Sequence, residues 1–306
     1  MMVGVIHVQR RPGLDEQLRH SVEKLAAAVE RRDGAPPLSD DALMHLGDPE
    51  RVHLISTDGS ASLTGYAQLS SSAQLNSSTQ LSSSAQLNGA AAEVLGDRAT
   101  VDALLGEVES LAPKLTVWSH GTLSPVAPAA GERGYRTTRI LWQLRSPNAE
   151  PGPSGRVEVP AGVVIRPFVL GQDEEALLAI NRAAFAELPD QGGWTLDDLA
   201  DRFGASWFDV NGLLVAEQAA TAELLGFHWT KVHPDDVGEV YVLAVAPAAQ
   251  GMQLGRVLLQ AGLDHLRQRG TDGVLLYVDD SNRNALHLYE RNGFSRYNQD
   301  VQLQKD

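Results

Sequence analysis

The chain has 306 residues, of which 43% are hydrophobic and 21% are charged. This is the composition of a folded globular protein, and the length suits two domains of about 150 residues each. Lys and Arg number 25 against 39 Asp and Glu, a net charge of −14, which argues against a nucleic acid partner. No stretch approaches the run of about 18 apolar residues that a membrane span requires, so no membrane partner is expected.

The sequence contains no cysteine. Disulfide frameworks, thiolate metal sites and cysteine nucleophiles are therefore excluded, and a reducing cytoplasm is the expected location. The N-terminal segment lacks the apolar core of a signal peptide, and residues 2–6 are interpreted as a short strand. We expect a monomer that acts on a small molecule.

Residues 67–88 repeat a six-residue unit, AQLSSS, AQLNSS, TQLSSS and AQLN. One Leu per repeat is too sparse for a core stripe, and Ser-rich segments favour loops. A period of six also keeps every Leu on one face of a strand, so a long exposed hairpin is the alternative. We interpret the repeat as an expanded surface loop without a catalytic role.

A linker is predicted at 146–160, where SPNAEPGPSGRVEVP is rich in Pro and poor in apolar residues. It would separate a first domain at 1–145 from a second at 161–306. Three landmarks of the first half recur in the second at nearly the same offset: LTGY at 63–66 as LLGF at 224–227, Gly134-Tyr135 as Gly293-Phe294, and Trp118 as Tyr277. The halves are therefore predicted to be a duplicated domain.

The second half alternates between strand and helix patterns. Strands are predicted at 163–168, 212–217, 224–232, 239–246, 274–278 and 294–304, and helices at 173–185, 196–203, 251–269 and 283–291. The strand at 239–246 is nearly all apolar, as expected of a buried central strand. Gly270 is a natural end for the helix that precedes it. This alternation predicts an α/β fold.

The strand EVYVLAVAP leads through the turn AAQGMQLG at 248–255 into a helix. A helix N-terminus has free N–H groups and a positive dipole end, so a Gly-containing turn before it can hold phosphate. A plain connection is the alternative for the turn alone. About 30 residues on comes the pattern N-x-x-A-x-x-x-Y-x-x-x-G-F at 282–294, and together they resemble the GNAT superfamily of N-acetyltransferases.

The resemblance implies two tandem acetyltransferase-like domains, each a mixed β-sheet flanked by helices. Further segments are similar to the mycothiol synthase family: QGGW at 191–194, GFHWTKVHP at 226–234, GEVYV at 238–242, LLYV at 275–278 and HGTL at 120–123. That family acetylates the cysteinyl amine of cysteinyl-glucosaminyl-inositol with acetyl-CoA, which gives mycothiol and coenzyme A. An acetyltransferase for another small amine and a non-catalytic acyl-CoA-binding protein remain alternatives.

By this resemblance Glu239 is the general base and Tyr289 the general acid. The chemistry agrees, because an α-amine titrates near pH 8 and needs only modest help to become a nucleophile. Glu239 could instead simply pair with Lys231, and Tyr289 could be a packing aromatic.

The resemblance also implies residues for both substrates. Acetyl-CoA would be held by Leu243, Ala244, Val245, Gln250, Gly251, Met252, Gln253, Leu254, Gly255, Arg256, Asn282, Arg283, Asn284, Ala285, Leu286 and His287. The amine substrate would contact Asp40, Asp190, Lys231, Glu239 and Tyr277. No metal is expected, because His228 and His233 are five residues apart on a strand and so point to opposite faces.

Two departures from the family pattern stand out. Met252 replaces a usual basic residue, and Gln253 replaces a Gly, so a positive φ at 253 would cost energy. In the first half, residues 93–105 form no basic Gly-rich turn, and Ala130 falls where Tyr289 would be. The first domain is therefore expected to support the second rather than to catalyse.

Overall fold

The computed structural model describes residues 6–60, 62–71, 90–112, 114–147 and 158–305. Most of the repeat (72–88), most of the linker (148–157) and nearly all of the predicted strand at 2–6 lie outside these residues. The chain divides into two compact units. The N-terminal unit comprises residues 1–141 and 298–306, and the C-terminal unit comprises residues 142–297.

The N-terminal unit is a mixed sheet with helices. Its elements are β1 (His7–Arg11), α1 (Glu16–Asp33), α2 (Asp40–Met44), β2 (Val52–Thr57), β3 (Leu63–Ser71), β4 (Ala90–Gly96), α3 (Arg98–Leu111), β5 (Leu115–His120), α4 (Val126–Glu132), the first part of β6 (Arg136–Ser146) and the last part of β12 (Ser295–Gln304). Strands β1 to β5 neighbour one another in chain order, and β12 lies beside β5. Among the strand pairs recorded for the described residues of this unit, β4 and β5 pair in parallel, and α3 connects them as a crossover helix.

Helix α3 shows why this unit folds. Val101, Leu104, Leu105 and Val108 recur at helical spacing, and all four are fully buried against the sheet. Burying each such side chain contributes about 2 kcal/mol. At its start, the Asp97 carboxylate accepts a hydrogen bond from the Thr100 N–H and caps the helix.

From β7 onward the C-terminal unit follows the succession of the N-terminal unit, with one additional helix between its first two strands. Its elements are the end of β6, then β7 (Val163–Pro167), α5 (Glu174–Ala184), α6 (Pro189–Gly192), α7 (Leu196–Gly204), β8 (Leu213–Gln218), β9 (Glu223–Val232), β10 (Gly238–Val245), α8 (Leu254–Gln268), β11 (Val274–Asp279), α9 (Arg283–Arg291) and the start of β12. The strand order is β6-β11-β10-β9-β8-β7. β10 and β11 pair in parallel across α8, as β4 and β5 do across α3.

The α/β prediction is confirmed, and the elements predicted for the second half occur within a few residues of their expected bounds. The largest difference is the start of α8, which lies at Leu254 rather than at Gly251. Gly251 has φ +87° and Gln253 has φ +60°, so both are left-handed and cannot belong to a right-handed helix.

Candidate active site

The strands β10 and β11 pair over a short distance only. Their described parallel pairs are Gly238–Val274, Glu239–Leu275 and Val240–Leu276. β10 continues to Val245, so the backbone from Tyr241 onward has no described partner in β11. An open strand edge of this kind can bind an extended ligand through main-chain hydrogen bonds.

β10 is also irregular on its other side. Its antiparallel register against β9 shifts between Val240 and Val242, so Tyr241 is an extra residue that forms a β-bulge. A bulge bends its strand and increases the local twist, and bulges are frequent beside active sites. Glu239 therefore lies at the end of the regular pairing, just before the bulge and the unpaired edge.

Glu239 is buried beside the side chains of Lys231 and His233. Its side chain is 8% exposed, and its Oε2 lies 4.0 Å from Lys231 Nζ and 2.7 Å from His233 Nε2. All three share one face of the sheet, because Lys231 pairs with Glu239 and His233 follows two residues later. Neither recorded contact engages Oε1. The pairing with Lys231 foreseen as an alternative is thus present, and it leaves one carboxylate oxygen available.

Trp194, Trp207 and Tyr241 form an aromatic wall that contacts two cationic side chains, Lys231 and Arg202. Lys231 Nζ is 5.2 Å from the ring centre of Trp207 and 5.7 Å from that of Tyr241. The Arg202 guanidinium stacks 4.1 Å from the Trp194 ring centre, and its Nε donates to the Tyr241 hydroxyl at 3.2 Å. Such cation–π contacts hold the two cations in place without neutralising them.

Tyr277 lies on the same face of the sheet, since Leu275 pairs with Glu239 and Tyr277 is two residues further on. Its hydroxyl accepts a hydrogen bond from Gln143 Nε2 at 3.0 Å. Gln143 lies in β6 and is 2% exposed, and its Oε1 is buried without a partner among the described residues. An unsatisfied buried acceptor is costly, and a ligand donor could satisfy it.

Gln143 is not among the predicted site residues, because position 143 falls inside the segment assigned to the first domain. The signal was available, since Gln143 is the one uncharged polar residue of the run ILWQL. His233 was also missed as a partner of Glu239. The sequence indicates it only as a possible metal ligand, although it directly follows β9 and alternation from Lys231 places it on the same face.

The turn before α8 leaves several donors free. No side chain caps the helix, and the recorded backbone hydrogen bonds of the described chain include none from the N–H groups of Gln253, Leu254 and Gly255. Arg256 Nη2 is buried and also lacks a partner among the described residues. Free amides, a helix dipole and an unsatisfied guanidinium together fit an anionic group such as phosphate.

Tyr289 lies in α9 and is 7% exposed. Its ring packs edge-on against Phe294 at 5.8 Å, and burial raises the pKa of its hydroxyl above the ordinary value. It belongs to the core cluster of Val240 and Val278, on the sheet face opposite to Glu239. No recorded contact in the described chain joins Glu239 to Tyr289, and the unpaired edge of β10 begins at Tyr241, two residues after Glu239.

The remaining predicted residues lie in several places. Asn282 caps α9, because its Oδ1 accepts from the Ala285 N–H at 3.0 Å. Arg283, Asn284 and His287 are exposed on this helix, whereas Leu286 is buried. Asp190 lies in the short helix α6, and Asp40 is the first residue of α2 in the N-terminal unit.

Within the described residues, no group of His, Asp and Glu side chains could hold a metal ion. His228 is buried and its Nδ1 bonds to the Leu258 carbonyl at 2.8 Å, whereas His233 contacts Glu239. The two histidines therefore point to opposite faces, as predicted. No helix in the described part of the chain is long and apolar enough to cross a membrane.

Comparison with known proteins identifies the family. Residues 177–294 match the acetyltransferase (GNAT) family. A solved tandem GNAT protein from the clavulanic acid biosynthesis pathway shares the fold, with a TM-score of 0.72 at 18% identity over 98% of both chains. The chain is an N-acetyltransferase of the GNAT class with the tandem fold.

More similar relatives narrow the assignment within that class. The mycothiol acetyltransferase of Thermomonospora curvata is 44% identical over 95% of each chain. That of Nocardia farcinica is 40% identical over 98% of each. The chain belongs to the mycothiol acetyltransferase family, and the resemblance predicted from the sequence is confirmed.

Proposed function

We propose that the chain transfers the acetyl group of acetyl-CoA to the cysteinyl amine of cysteinyl-glucosaminyl-inositol, which gives mycothiol and coenzyme A. The names of its relatives support this reaction. The observation that carries the proposal is the position of Glu239, a buried carboxylate at the last regular pairs before an open strand edge. A base is needed there because the amine must lose a proton to attack the thioester.

Glu239 acts as the general base. The α-ammonium of the substrate gives its proton to the carboxylate, through water or directly, and the free amine attacks the acetyl carbonyl. The attack forms the C–N bond and the C–S bond then breaks. The second proton that the acylated nitrogen loses balances the one that the departing thiolate takes up. Because the chain has no cysteine, the acetyl group passes directly to the amine rather than through a thioester on the enzyme.

Tyr289 acts as the general acid that protonates the departing thiolate. Burial raises the pKa of Tyr289, so its hydroxyl is protonated at neutral pH. A thiol has a pKa of about 8.5, so the transfer to the thiolate is uphill and requires the hydroxyl and the sulfur to be held in hydrogen-bonding contact. Glu239 and Tyr289 occupy opposite faces of the sheet. A thioester inserted at the unpaired edge of β10 would be accessible from both faces, which supports one role for each residue.

Acetyl-CoA fits the groups that the C-terminal unit leaves unsatisfied. The backbone of Leu243, Ala244 and Val245 would bond the acetyl and pantetheine groups at the open edge of β10. The turn from Gln250 to Arg256 would hold the pyrophosphate on its free N–H groups and on the Arg256 guanidinium. Residues 282–287 at the start of α9 would line the remaining length of the coenzyme.

The amine substrate would bind on the face of Glu239. Lys231 and the Tyr277 hydroxyl lie on this face and would contact the hydroxyl oxygens of a sugar or inositol, and the half-buried rings of Trp207 and Tyr241 offer flat apolar surface. Asp190 and Asp40 are assigned to this substrate by resemblance alone. Both are carboxylates, which suits a substrate that is rich in hydroxyl donors and carries an ammonium group.

The N-terminal unit does not catalyse acetyl transfer in this proposal. Ala91 pairs with Thr116 in the register that Glu239 takes with Leu275, so an alanine stands where the base would be. Ala130 is buried in α4 at the position that matches Tyr289. At the start of α3 the Asp97 carboxylate already occupies the N–H groups, and it would repel phosphate.

The test is the pair Glu239→Gln and Tyr289→Phe, assayed with acetyl-CoA and cysteinyl-glucosaminyl-inositol. The acetylated product is followed by mass spectrometry, because the substrate thiol would react in a thiol-based assay. We expect kcat to fall by about 10²-fold or more in each variant. The exposed residues Glu223 and Tyr297 provide the matched controls Glu223→Gln and Tyr297→Phe, which should retain full activity.

Wild-type rates in both site variants would overturn the assigned roles. Faster turnover of an aminoglycoside or of a peptide N-terminus by the native chain would overturn the proposed substrate.

A further inference from the structure

We propose that His233 is a positioning residue for Glu239, and that it keeps one carboxylate oxygen occupied so that the other receives the substrate proton. The inference rests on the proposed role of Glu239 as the base. A carboxylate can only accept hydrogen bonds, so the 2.7 Å contact means that His233 Nε2 donates to Oε2. The recorded hydrogen bond and ion pairs of the described site all use that oxygen and leave Oε1 for the amine or its water.

The hairpin between β9 and β10 fixes the ring in this position. The His233 N–H donates to the Val237 carbonyl at 2.8 Å, and the Asp236 N–H donates to the His233 carbonyl at 3.0 Å. Asp236 has φ +61°, and its carbonyl accepts from the Asp272 N–H at 3.0 Å. Three backbone hydrogen bonds and one left-handed residue fix this turn, so it holds the imidazole more firmly than a loop without such contacts would.

Lys231 explains why a positioning group is needed. Its Nζ lies 4.0 Å from the same Oε2, outside hydrogen-bonding distance, although it is the direct cross-strand partner of Glu239. Without the imidazole, Glu239 could rotate onto the ammonium and form a closed ion pair. The base would then be misdirected, and a misplacement of about 1 Å can cost 10²-fold in rate.

His233 also lies between the buried carboxylate of Glu239 and the solvent. Its side chain is 24% exposed, whereas those of Glu239 and Lys231 are 8% and 7% exposed. The imidazole therefore closes the solvent side of the site as well as orienting the carboxylate. Exclusion of bulk water strengthens the electrostatic contacts inside.

The experiment compares His233→Gln with His233→Met in the full chain. Gln retains an N–H donor at nearly the same reach, whereas Met matches its length without a donor. We expect kcat to fall about 10-fold to 100-fold in His233→Met with an unchanged KM for acetyl-CoA, and to stay within about threefold of wild type in His233→Gln. The matched control is His265→Gln, since His265 Nε2 also faces a carboxylate, Asp209 Oδ2 at 3.5 Å, away from this hairpin.

The outcomes separate this inference from the proposed function. If Glu239→Gln is inactive while His233→Met keeps wild-type kcat, the positioning role is wrong and the base assignment stands. If Glu239→Gln is fully active, the base assignment itself fails. Should His233→Met unfold, His233→Asn replaces it, because its amide is too short to reach Oε2 and its loss of kcat tests the same contact. Equal losses of kcat in the Gln and Met variants would show that donation to Glu239 is not what matters.

Discussion

A buried charge cluster in the N-terminal unit should make the stability of the protein depend on alkaline pH. His120 Nδ1 lies 2.9 Å from Asp300 Oδ2, and its Nε2 lies 3.3 Å from Glu93 Oε2. Burial by itself would lower the pKa of His120, but the charges of Asp300 and Glu93 and the hydrogen bond to Asp300 outweigh it and raise the pKa to about 10. The imidazolium is therefore part of the folded structure at neutral pH.

The sign and size of the effect follow from linkage. An unfolded histidine has a pKa near 6.5, so the folded state binds this proton more tightly. The stabilisation is fully present below about pH 6.5 and is lost as the pH rises through about 10. Each pKa unit corresponds to about 1.4 kcal/mol, so at most about 5 kcal/mol of unfolding free energy depends on this group.

The assay is denaturant unfolding of the wild type and of His120→Gln across this pH range. The difference between their unfolding free energies should shrink by several kcal/mol as the pH rises, because only the wild type loses a bound proton. His20→Gln is the control, since His20 is 64% exposed beside Glu23 and should change nothing. Parallel pH curves for wild type and His120→Gln would refute the reasoning. If the variant does not fold, the imidazole proton resonances of the native protein should show no titration of His120 between pH 6 and 8.

Four further predictions concern the C-terminal unit. Gln253→Gly should raise the unfolding free energy by about 1 kcal/mol, measured by calorimetry, because a side chain at φ +60° is strained. Gly262→Ala should lower it by about 3 kcal/mol in thermal unfolding, because the new methyl group would overlap the His228 ring. Native stability should fall by up to about 3 kcal/mol in unfolding assays as the pH drops from 6.5 toward 4, because burial lowers the pKa of His228 to about 4 and only the unfolded chain binds the proton. Gln143→Leu should raise KM for the amine about tenfold in steady-state kinetics and leave KM for acetyl-CoA unchanged, because the Tyr277 hydroxyl loses its donor.

Matched variants serve as controls for Gln253→Gly and Gly262→Ala. Gln250 has φ −63° in the same turn, so Gln250→Gly should bring no gain in stability. Gly131 lies in α4 with open space where a Cβ would be, so Gly131→Ala should be neutral or stabilising. A gain from both Gln variants, or no loss in Gly262→Ala, would contradict the backbone and packing arguments. A parallel rise of both KM values in Gln143→Leu would contradict a specific role for that residue.

The fold could be predicted largely from the sequence because its signals are local. Apolar runs such as 239–246 and the helical stripe of α8 determine the element type by periodicity, and Gly270 ends α8 by its tolerance of positive φ. The start of α8 was less predictable. Helical apolar spacing extends back to the turn, and only the left-handed Gln253, an unusual residue in that conformation, moves the boundary to Leu254.

The partners of the site residues could not be predicted in the same way. The contact between Gln143 and Tyr277 joins strands that are far apart in the sequence, so no local pattern indicates it. The contact between His233 and Glu239 is closer in sequence, but it depends on how a hairpin turn orients its first residue. The motif indicates candidate groups for the chemistry, and tertiary pairing decides which side chains contact them.

The two units differ in the pairing of one strand. β3 and β4 pair in unbroken register from Gly65–Gly96 to Ser71–Ala90, whereas β10 bulges at Tyr241 in the corresponding pair. A regular ladder satisfies the hydrogen bonding of its backbone N–H and C=O groups and buries a continuous core, so stability alone does not require an irregularity. A bulge disrupts that ladder locally and re-aims side chains, and such irregularity persists where it has a use. The irregular strand, β10, is the one that carries a buried carboxylate and an open edge. The two units share most of their succession of elements. Departures from regular pairing therefore distinguish the unit that is proposed to catalyse.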